Sequence, residues 1–268
     1  MDYARELDVA LEAAAKAGDY LKTTYEALTP MADAPASIST DADRTSQQII
    51  LAHLAAAFPG DALCAEEGTP DSPAADRSRL WVVDPIDGTR GFVMKNGEFS
   101  VMIALVEQGR VVVGVVLEPA HGRVTYGQFG HGCWVRTGDR FPTQCHVSRT
   151  DILTGAVLVQ SHGKKGEVPW PVTALNPLHV VETFSAGVKL AMVARGEVDL
   201  YVNTYANFCD WDICAGDLLV TEAGGEVTEI NGSPVSYGKP GYSQRGGLLA
   251  TNGCLHADAV ANLRRSRG

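Results

Sequence analysis

The chain has 268 residues, of which 45% are hydrophobic and 20% charged, and its formal net charge is −10. This length and apolar content are sufficient for a substantial core, which disfavours a disordered chain. The acidic balance disfavours a nucleic-acid polymer as partner, because such partners require a basic surface that displaces counterions. A small phosphorylated molecule is compatible with it, since carboxylates can hold the metal ions that bind a phosphate.

The apolar residues form no uninterrupted run of eighteen, and the N-terminus lacks the basic start and apolar stretch of a signal peptide. These features predict a soluble, cytoplasmic protein without a transmembrane segment. The cysteines show no C-x-x-C pair, which predicts buried, reduced thiols rather than a disulfide framework. They are Cys64, Cys133, Cys145, Cys209, Cys214 and Cys254.

Two amphipathic helices are predicted at the start of the chain. The first has apolar or small residues at spacings of four and three, namely Leu7, Leu11, Ala14, Gly18, Leu21 and Tyr25. The second is predicted to begin near Asp41 or Asp43 and to end at Pro59-Gly60, where proline and glycine break the pattern.

Short apolar runs then predict strands, the later ones joined by turns into an antiparallel meander. They are Ala62–Ala65, Leu80–Val83, Ser100–Val106, Val111–Leu117, Val124–Gln128 and Gly132–Arg136. Helices and strands alternate afterwards: a helix at Gly187–Ala194, a strand at Leu200–Val202, a helix at Trp211–Glu222, strands at Glu226–Ile230 and Gly247–Thr251, and a helix from His256. This pattern predicts an α/β fold of mixed sheets layered with helices. We expect a single domain over residues 1–268, with a soft division near residue 150.

The segment from Trp81 to Thr89 indicates a metal-binding site. An apolar strand leads into Asp84-Pro85-Ile86-Asp87-Gly88-Thr89. Because Pro85 fixes its φ angle, we expect the chain to turn sharply there and both carboxylates to face one point. Two such anions require a cation between them, and oxygen ligands favour Mg²⁺ or Mn²⁺. The backbone N–H groups after Asp87 are expected to face a phosphate at a helix start. The alternative is that both aspartates cap a turn.

Three further carboxylate sites lie at predicted element ends. Glu66-Glu67 follows the first strand, Asp210-Trp211-Asp212 precedes a helix and places Asp212 in its first turn, and Thr40-Asp41-Ala42-Asp43 opens the second helix. Each is open to a metal role, while helix capping is the alternative for the last two.

Together, Glu66-Glu67, Asp84 to Thr89, and Trp211-Asp212-Ile213-Cys214-Ala215-Gly216 resemble the signatures of the inositol monophosphatase superfamily. The resemblance extends from about Asp43 to Gly225. It implies the layered αβαβα sandwich shared with fructose-1,6-bisphosphatase, and a lithium-sensitive, magnesium-dependent phosphomonoesterase.

The segment Gly91–Ser100, and above all Asn96-Gly97-Glu98-Phe99, is similar to the 3'(2'),5'-bisphosphate nucleotidase branch. That branch removes the 3'-phosphate from adenosine 3',5'-bisphosphate and implies a place in sulfur assimilation. Ser185-Ala186-Gly187-Val188-Lys189 loosely resembles the Ser-Ser-Leu-Lys stretch of that branch.

The resemblance also implies residue roles. The metal ligands would be Glu66, Asp84, Asp87, Asp212 and the backbone carbonyl of Ile86, holding two to three Mg²⁺ ions for which Mn²⁺ is a possible substitute. The catalytic residues would be Thr89, Asp43 and Glu66, since either Asp43 through Thr89 or Glu66 directly would take the proton of a metal-activated water. The substrate-binding residues would be Asp87, Gly88, Thr89, Ser185, Lys189 and His162.

Lys189 is expected to bind a second phosphate with the N–H groups of a helix start, unless it is a solvated surface lysine. His162 is a weaker candidate that can equally be an exposed loop histidine, and Trp170 and Tyr205 are aromatic candidates for which packing is the alternative.

Three other functions remain open at this point. An inositol-1-monophosphatase or related sugar-alcohol phosphatase would use the same metal motifs with different binding loops. Histidinol phosphate is a further candidate substrate because of Asp87-Gly88-Thr89-Arg90. A non-catalytic module that binds metal or nucleotide is the third reading. The expected partner is a small phosphorylated metabolite, and a homodimer is possible.

Overall fold

A computed structural model of the protein describes residues 2–35, 37–69, 76–163, 166–205 and 208–266. The helices are α1 (Ala4–Ala27), α2 (Asp41–Ala57), α3 (Thr89–Met94), α4 (Trp170–Leu175), α5 (Ala186–Ala194), α6 (Cys214–Glu222) and α7 (His256–Arg265). The strands of the first sheet are β1 (Asp61–Ala65), β2 (Asp76–Asp87), β3 (Ser100–Glu107), β4 (Arg110–Glu118), β5 (Arg123–Gln128), β6 (Cys133–Thr137) and β7 (Thr143–Gln144). The others are β8 (Val157–Gln160), β9 (His179–Glu182), β10 (Leu200–Asn203), β11 (Phe208–Cys209), β12 (Glu226–Thr228), β13 (Ser243–Gln244) and β14 (Leu248–Thr251).

The first seven strands form one sheet in chain order. β1 is parallel to β2, and every later pair is antiparallel, as the predicted meander requires. Alternate residues of β2 to β4 face opposite helix layers, since the side-chain period of a strand is two. Trp81, Ile103 and Val113 pack towards α1 and α2, whereas Val82 and Met102 pack towards α5 and α6. Helices cover both faces of this sheet, which is why these strands are continuous apolar runs in the sequence.

A second, five-stranded sheet has the order β12-β14-β10-β8-β9. Tyr201 of β10 belongs to the core shared with α5 and α6, while Leu200 and Val202 face the core that contains α7. The layers are therefore helix, sheet, helix, sheet, helix, and the expected αβαβα sandwich is confirmed. The core around α5 and α6 joins residues from both sides of position 150. The single domain with a soft division stays a prediction.

Three sequence expectations differ from the structure. β2 continues through Pro85 to Asp87 instead of turning there. The helix expected from Trp211 is divided, because a 3₁₀ turn at Asp210–Asp212 precedes α6. Of the cysteines, which all have free thiols, Cys209 is half-buried and Cys254 is exposed rather than buried.

None of the helices in the described part of the chain is long and apolar enough to cross a membrane.

Candidate active site

A register shift in β2 brings the two aspartates of the D-x-x-D segment together. In a regular strand, residues three apart face opposite sides of the sheet. Here Asp84 pairs with Met102 and Asp87 with Ser100, so three steps along β2 correspond to two along β3. Such a bulge moves one side chain to the other face. Both carboxylates therefore point towards the same cavity.

The Asp87 carboxylate lies against the start of α5. Its Oδ1 accepts a hydrogen bond from the Ala186 N–H at 3.1 Å, and its Oδ2 accepts one from the Gly187 N–H at 2.7 Å. The hydroxyls of Ser185 and Ser100 also donate to Oδ2. A carboxylate is favoured at this end of the helix, where the first N–H groups have no partner within the helix. Asp87 is thereby fixed in orientation, with Oδ1 less fully bonded than Oδ2.

Asp84, Asp87 and Asp212 form an acidic cluster in which one carboxylate oxygen of each lies within 4.8 Å of the others. Burial, followed by the charges of Glu66 and Asp87, raises the pKa of Asp84 well above its usual range. Burial and the charges of Asp87 and Glu66 likewise raise the pKa of Asp212. Three carboxylates in one buried position repel one another unless a cation lies between them. The cluster fits a hard divalent cation, which prefers oxygen ligands.

The neighbouring aspartates Asp210 and Asp212 have different environments. Asp212 accepts a hydrogen bond from the Cys209 N–H at 2.6 Å through Oδ2, and its other oxygen belongs to the acidic cluster. Asp210 instead accepts from the Gly238 N–H and from the Gln244 side chain, each at 2.7 Å. Asp210 therefore connects the β13 region to the 3₁₀ turn and does not line the cavity.

Glu66 follows β1 and borders the same cavity. Burial raises its pKa to about 7, and the charge of Asp43 is the next contribution. Its neighbour Glu67 does not border the cavity, and its carboxylate accepts a hydrogen bond from Ser39 at 2.7 Å. The structure thus separates the two members of the Glu66-Glu67 pair.

Thr89 connects the cluster to Asp43 of α2. The Thr89 hydroxyl has two acceptors within reach, Asp43 Oδ1 at 2.8 Å and the Ile86 carbonyl at 3.0 Å. A hydroxyl has one proton to donate, and a carboxylate is the stronger acceptor. Asp43 is fully buried, and its Oδ2 accepts from the N–H and hydroxyl of Thr40, so the predicted capping of α2 is present as well. Bonding to Asp43 leaves the Ile86 carbonyl free to face the cavity, which it borders.

The cavity has a volume of about 810 Å³ and contains the acidic cluster at one part of its wall. Lys189 of α5 also borders this cavity and is 1% exposed, so it is not a solvated surface lysine. Its ammonium donates to Ser161 Oγ at 3.0 Å and to the Phe184 carbonyl at 2.9 Å. Burial lowers its pKa to about 8. Because an ammonium has three donors, one N–H has no acceptor in the described part of the chain and can bond to a ligand.

The helix start beside Lys189 is not available to a phosphate. The N–H groups of Ala186 and Gly187 bond to Asp87, and the Val188 N–H bonds to Ser185 Oγ. Ser185 is fully buried behind Asp87. The expectation that these N–H groups assist Lys189 is therefore wrong, and a substrate role for Ser185 stays a prediction.

The segment that resembles the nucleotidase branch lies behind the cavity wall. Asn96 accepts a hydrogen bond from the Glu98 N–H at 3.0 Å, and the Glu98 carboxylate bonds to the His162 ring at 2.7 Å and to the Phe184 N–H at 3.1 Å. The ring centroids of His162 and Phe184 are 4.3 Å apart. Glu98 thus positions two residues that border the cavity, and His162 is a bonded residue rather than a free loop histidine.

The other residues considered for substrate binding differ in their position relative to the cavity. Gly88 borders the cavity with φ +86°, and an added Cβ atom would lie 2.7 Å from the Glu98 carbonyl, so the position requires glycine. Tyr205 borders the cavity and is 61% exposed, whereas Trp170 packs against the core near α7. Arg90 and Phe184 also border the cavity. No pattern in the sequence points to Phe184, and Arg90 enters the sequence analysis only as part of Asp87-Gly88-Thr89-Arg90, without a role for its side chain.

Comparisons with known proteins agree with this fold. A model of the inositol monophosphatase family matches residues 2–267. The chain is 33% identical to a fructose-1,6-bisphosphatase/inositol-1-monophosphatase of Thermotoga maritima, over 83% of this chain and 81% of that protein. It is 30% identical to the 3'(2'),5'-bisphosphate nucleotidase CysQ of Salmonella typhimurium, over 86% and 93%. The structure of the extragenic suppressor protein suhB from Bartonella henselae superposes with a TM-score of 0.82 and 27% identity, over 98% and 99% of the chains.

The chain belongs to the inositol monophosphatase family and is a phosphatase of that family, a hydrolase of small phosphorylated metabolites. The acidic cluster is a group of carboxylates that can hold the metal ions used by this family. The relatives differ in substrate, so the choice of substrate depends on the residues of this cavity.

Proposed function

We propose that this phosphatase is a magnesium-dependent 3'(2'),5'-bisphosphate nucleotidase, which hydrolyses adenosine 3',5'-bisphosphate to AMP and phosphate. The observation that supports this substrate is the buried Lys189 ammonium in the cavity wall, whose third N–H has no hydrogen-bond acceptor among the described residues. A buried cation without a carboxylate in hydrogen-bond contact favours an anionic ligand. The polyol ring of inositol 1-phosphate carries no second anion, whereas the nucleotide carries one.

In this proposal Glu66, Asp84, Asp87, Asp212 and the Ile86 carbonyl hold two to three Mg²⁺ ions. Bound Mg²⁺ would neutralise the charge of the phosphate and activate a water for in-line attack. The protein's own contribution is to fix the carboxylates, and the hydrogen bonds of Asp87 to α5 do so for one of them. Glycine is required at position 88, because a Cβ atom there would lie 2.7 Å from the Glu98 carbonyl and 3.2 Å from Ser185.

Thr89 and Asp43 form the proposed proton path. The Thr89 hydroxyl donates to Asp43, so its lone pairs face outward and can accept a hydrogen bond from the attacking water. The proton of that water then passes to Thr89 as the Thr89 proton passes to Asp43. Burial raises the pKa of Asp43, which makes it a better proton acceptor than an exposed aspartate.

Phosphate release from four substrates tests the proposed specificity. With Mg²⁺ present, we expect kcat/KM for adenosine 3',5'-bisphosphate to exceed that for inositol 1-phosphate and for adenosine 3'-monophosphate. A preference for inositol 1-phosphate would contradict the nucleotidase proposal while leaving the metal site in place. Histidinol phosphate is included as a fourth substrate, because one candidate reading of the sequence was a histidinol phosphatase. Lithium inhibition and a role in sulfur assimilation stay predictions.

The ionisation of Lys189 predicts a pH dependence of KM. Its ammonium is charged below its pKa of about 8 and loses its proton above it. The non-reacting phosphate is already a dianion above pH 7, since its second pKa is about 6. KM for adenosine 3',5'-bisphosphate is therefore expected to rise above pH 8, by at most about tenfold per pH unit for one proton. KM for the 3'-monophosphate should stay flat from pH 7 to 9.5, and Lys189→Met should remove the difference between the two profiles.

The two glutamates after β1 provide a matched pair of variants. Glu66→Gln removes a charge beside the acidic cluster, so we expect kcat to fall by about 10² or more. Glu67→Gln changes a side chain that faces Ser39, and kcat should stay within about threefold of the wild type. Steady-state phosphate release at saturating Mg²⁺ measures both. Equal losses in the two variants would contradict the assignment of Glu66.

A further inference from the structure

Arg90 is a cation of the cavity wall that the metal chemistry does not use. It follows Thr89 in α3 and borders the cavity. Among the residues that the structure describes, none forms a hydrogen bond with its buried Nε atom, and no carboxylate forms an ion pair with it. An arginine has five donors in a planar fork that normally bond to carboxylates, phosphates or carbonyl oxygens. Arg90 therefore presents unused donors beside a site for phosphate esters.

The Arg90 guanidinium lies over the ring of Phe184. The guanidinium carbon lies 5.1 Å from the centroid of the Phe184 ring, and His162 contacts the same ring. The backbone of Phe184 is fixed on both sides, because its N–H donates to Glu98 and its carbonyl accepts from Lys189. Arg90 and Lys189 thus approach one immobilised residue, Arg90 at its ring and Lys189 at its carbonyl.

We propose that Arg90 is a specificity-determining residue that binds the phosphate group that is not hydrolysed. This inference rests on the proposed bisphosphate substrate. Two parallel N–H groups of a guanidinium match two phosphate oxygens, and Lys189 adds a point charge from the same wall. The contact with Phe184 limits the rotation of the guanidinium, so less conformational entropy is lost on binding than for a free arginine.

The test compares Arg90→Gln with wild type on adenosine 3',5'-bisphosphate and adenosine 3'-monophosphate, which lacks the second phosphate. For the bisphosphate, KM is expected to rise roughly 10- to 100-fold, the value of a charge-assisted hydrogen bond, with kcat within about threefold. KM for the monophosphate is expected to stay unchanged. Arg110→Gln is the matched control, because Arg110 stacks on Phe129 at 4.8 Å, outside the cavity. It should leave both KM values unchanged.

Two results would overturn the role of Arg90. One is an equal change of KM for both substrates, and the other is a loss of kcat with unchanged KM, which would place Arg90 at the reacting phosphate. If Arg90→Gln does not fold, Arg90→Lys replaces it in the test. We then expect KM to rise at least about fivefold for the bisphosphate alone, because lysine lacks the planar set of guanidinium N–H donors. A wild-type enzyme without preference for the bisphosphate would instead contradict the proposed function, independently of the variant.

Discussion

The variant Asp212→Asn is expected to lower kcat by at least about 10²–10³, since it removes one charge of the acidic cluster where charge must be stabilised in the reaction. Asparagine keeps the size of the side chain, and its carbonyl oxygen can still accept the hydrogen bond from the Cys209 N–H. The Mg²⁺ concentration for half-maximal activity should rise at least about tenfold. Phosphate release over a Mg²⁺ titration measures both effects.

Thermal melting separates this metal role from a structural one. Burial raises the pKa of Asp212, so the folded protein binds its proton more tightly than the unfolded chain. Protonated Asp212 therefore contributes to the stability of the fold at low pH, and this contribution is lost as the pH rises. At pH 7 and without metal, the ionised form of Asp212 is unfavourable in the folded protein. Metal-free Asp212→Asn should therefore melt no lower than metal-free wild type, and it should gain less from added Mg²⁺.

Asp210→Asn is the matched control for this variant. Both oxygens of Asp210 accept hydrogen bonds from protein donors, so the amide should lower stability. Turnover per folded molecule should stay within about threefold of wild type, because Asp210 does not border the cavity. If Asp210→Asn lost turnover as Asp212→Asn does, the division between a structural and a metal-binding aspartate would be incorrect.

Thr89→Val is expected to lower kcat by about 10²–10⁴, the usual contribution of a positioned proton-transfer group. Valine has nearly the shape of threonine but can neither accept a hydrogen bond from water nor donate to Asp43. The loss should lie in kcat more than in KM, because the hydroxyl acts on the water rather than on the organic part of the substrate. Single-turnover phosphate release measures the chemical step.

Thr89→Ser is the control, since it keeps the hydroxyl next to Asp43 and the Ile86 carbonyl. It should retain activity within about tenfold of wild type, with the loss due to a freer side-chain rotamer. Activity of Thr89→Val close to that of Thr89→Ser would show that the proton takes another route, with Glu66 as the next acceptor to examine. The raised pKa of Glu66, about 7, suits that role.

The sequence was sufficient to predict that the carboxylates lie at element ends, but not how they meet. Asp84 and Asp87 are three residues apart, and a turn at Pro85 was the simplest way to bring them together. The structure uses the register shift between β2 and β3 instead. Whether a strand turns or bulges depends on its neighbour, and the pairing of Asp87 with Ser100 is not visible in the local sequence.

The substrate side of the cavity was harder to predict, because it depends on contacts between distant parts of the chain. Glu98 was noted for its resemblance to nucleotidases, and the structure shows that it bonds to His162 and Phe184, 64 and 86 residues further along. Lys189 was expected at a helix start with free N–H groups, yet Asp87 takes those groups from 100 residues away. Long-range hydrogen bonds of this kind leave no periodic pattern in the sequence.

Elements with strong periodicity or long apolar runs were predicted within a few residues of their bounds, as α2 and β3 illustrate. The short strands β7, β8, β9, β11 and β13 were missed, since two to four residues give too little pattern to distinguish a strand from a loop.

Phosphate release from adenosine 3',5'-bisphosphate by metal-free protein, titrated with Mg²⁺ and then treated with excess chelator, tests the central claim most directly. We expect no phosphate release without metal, saturable release as Mg²⁺ is added, and loss of release after chelator is added. The Asp212→Asn variant should require a higher Mg²⁺ concentration for half-maximal release. Release that continues unchanged in chelator would contradict the claim that the carboxylates around Asp84, Asp87 and Asp212 form a catalytic metal site.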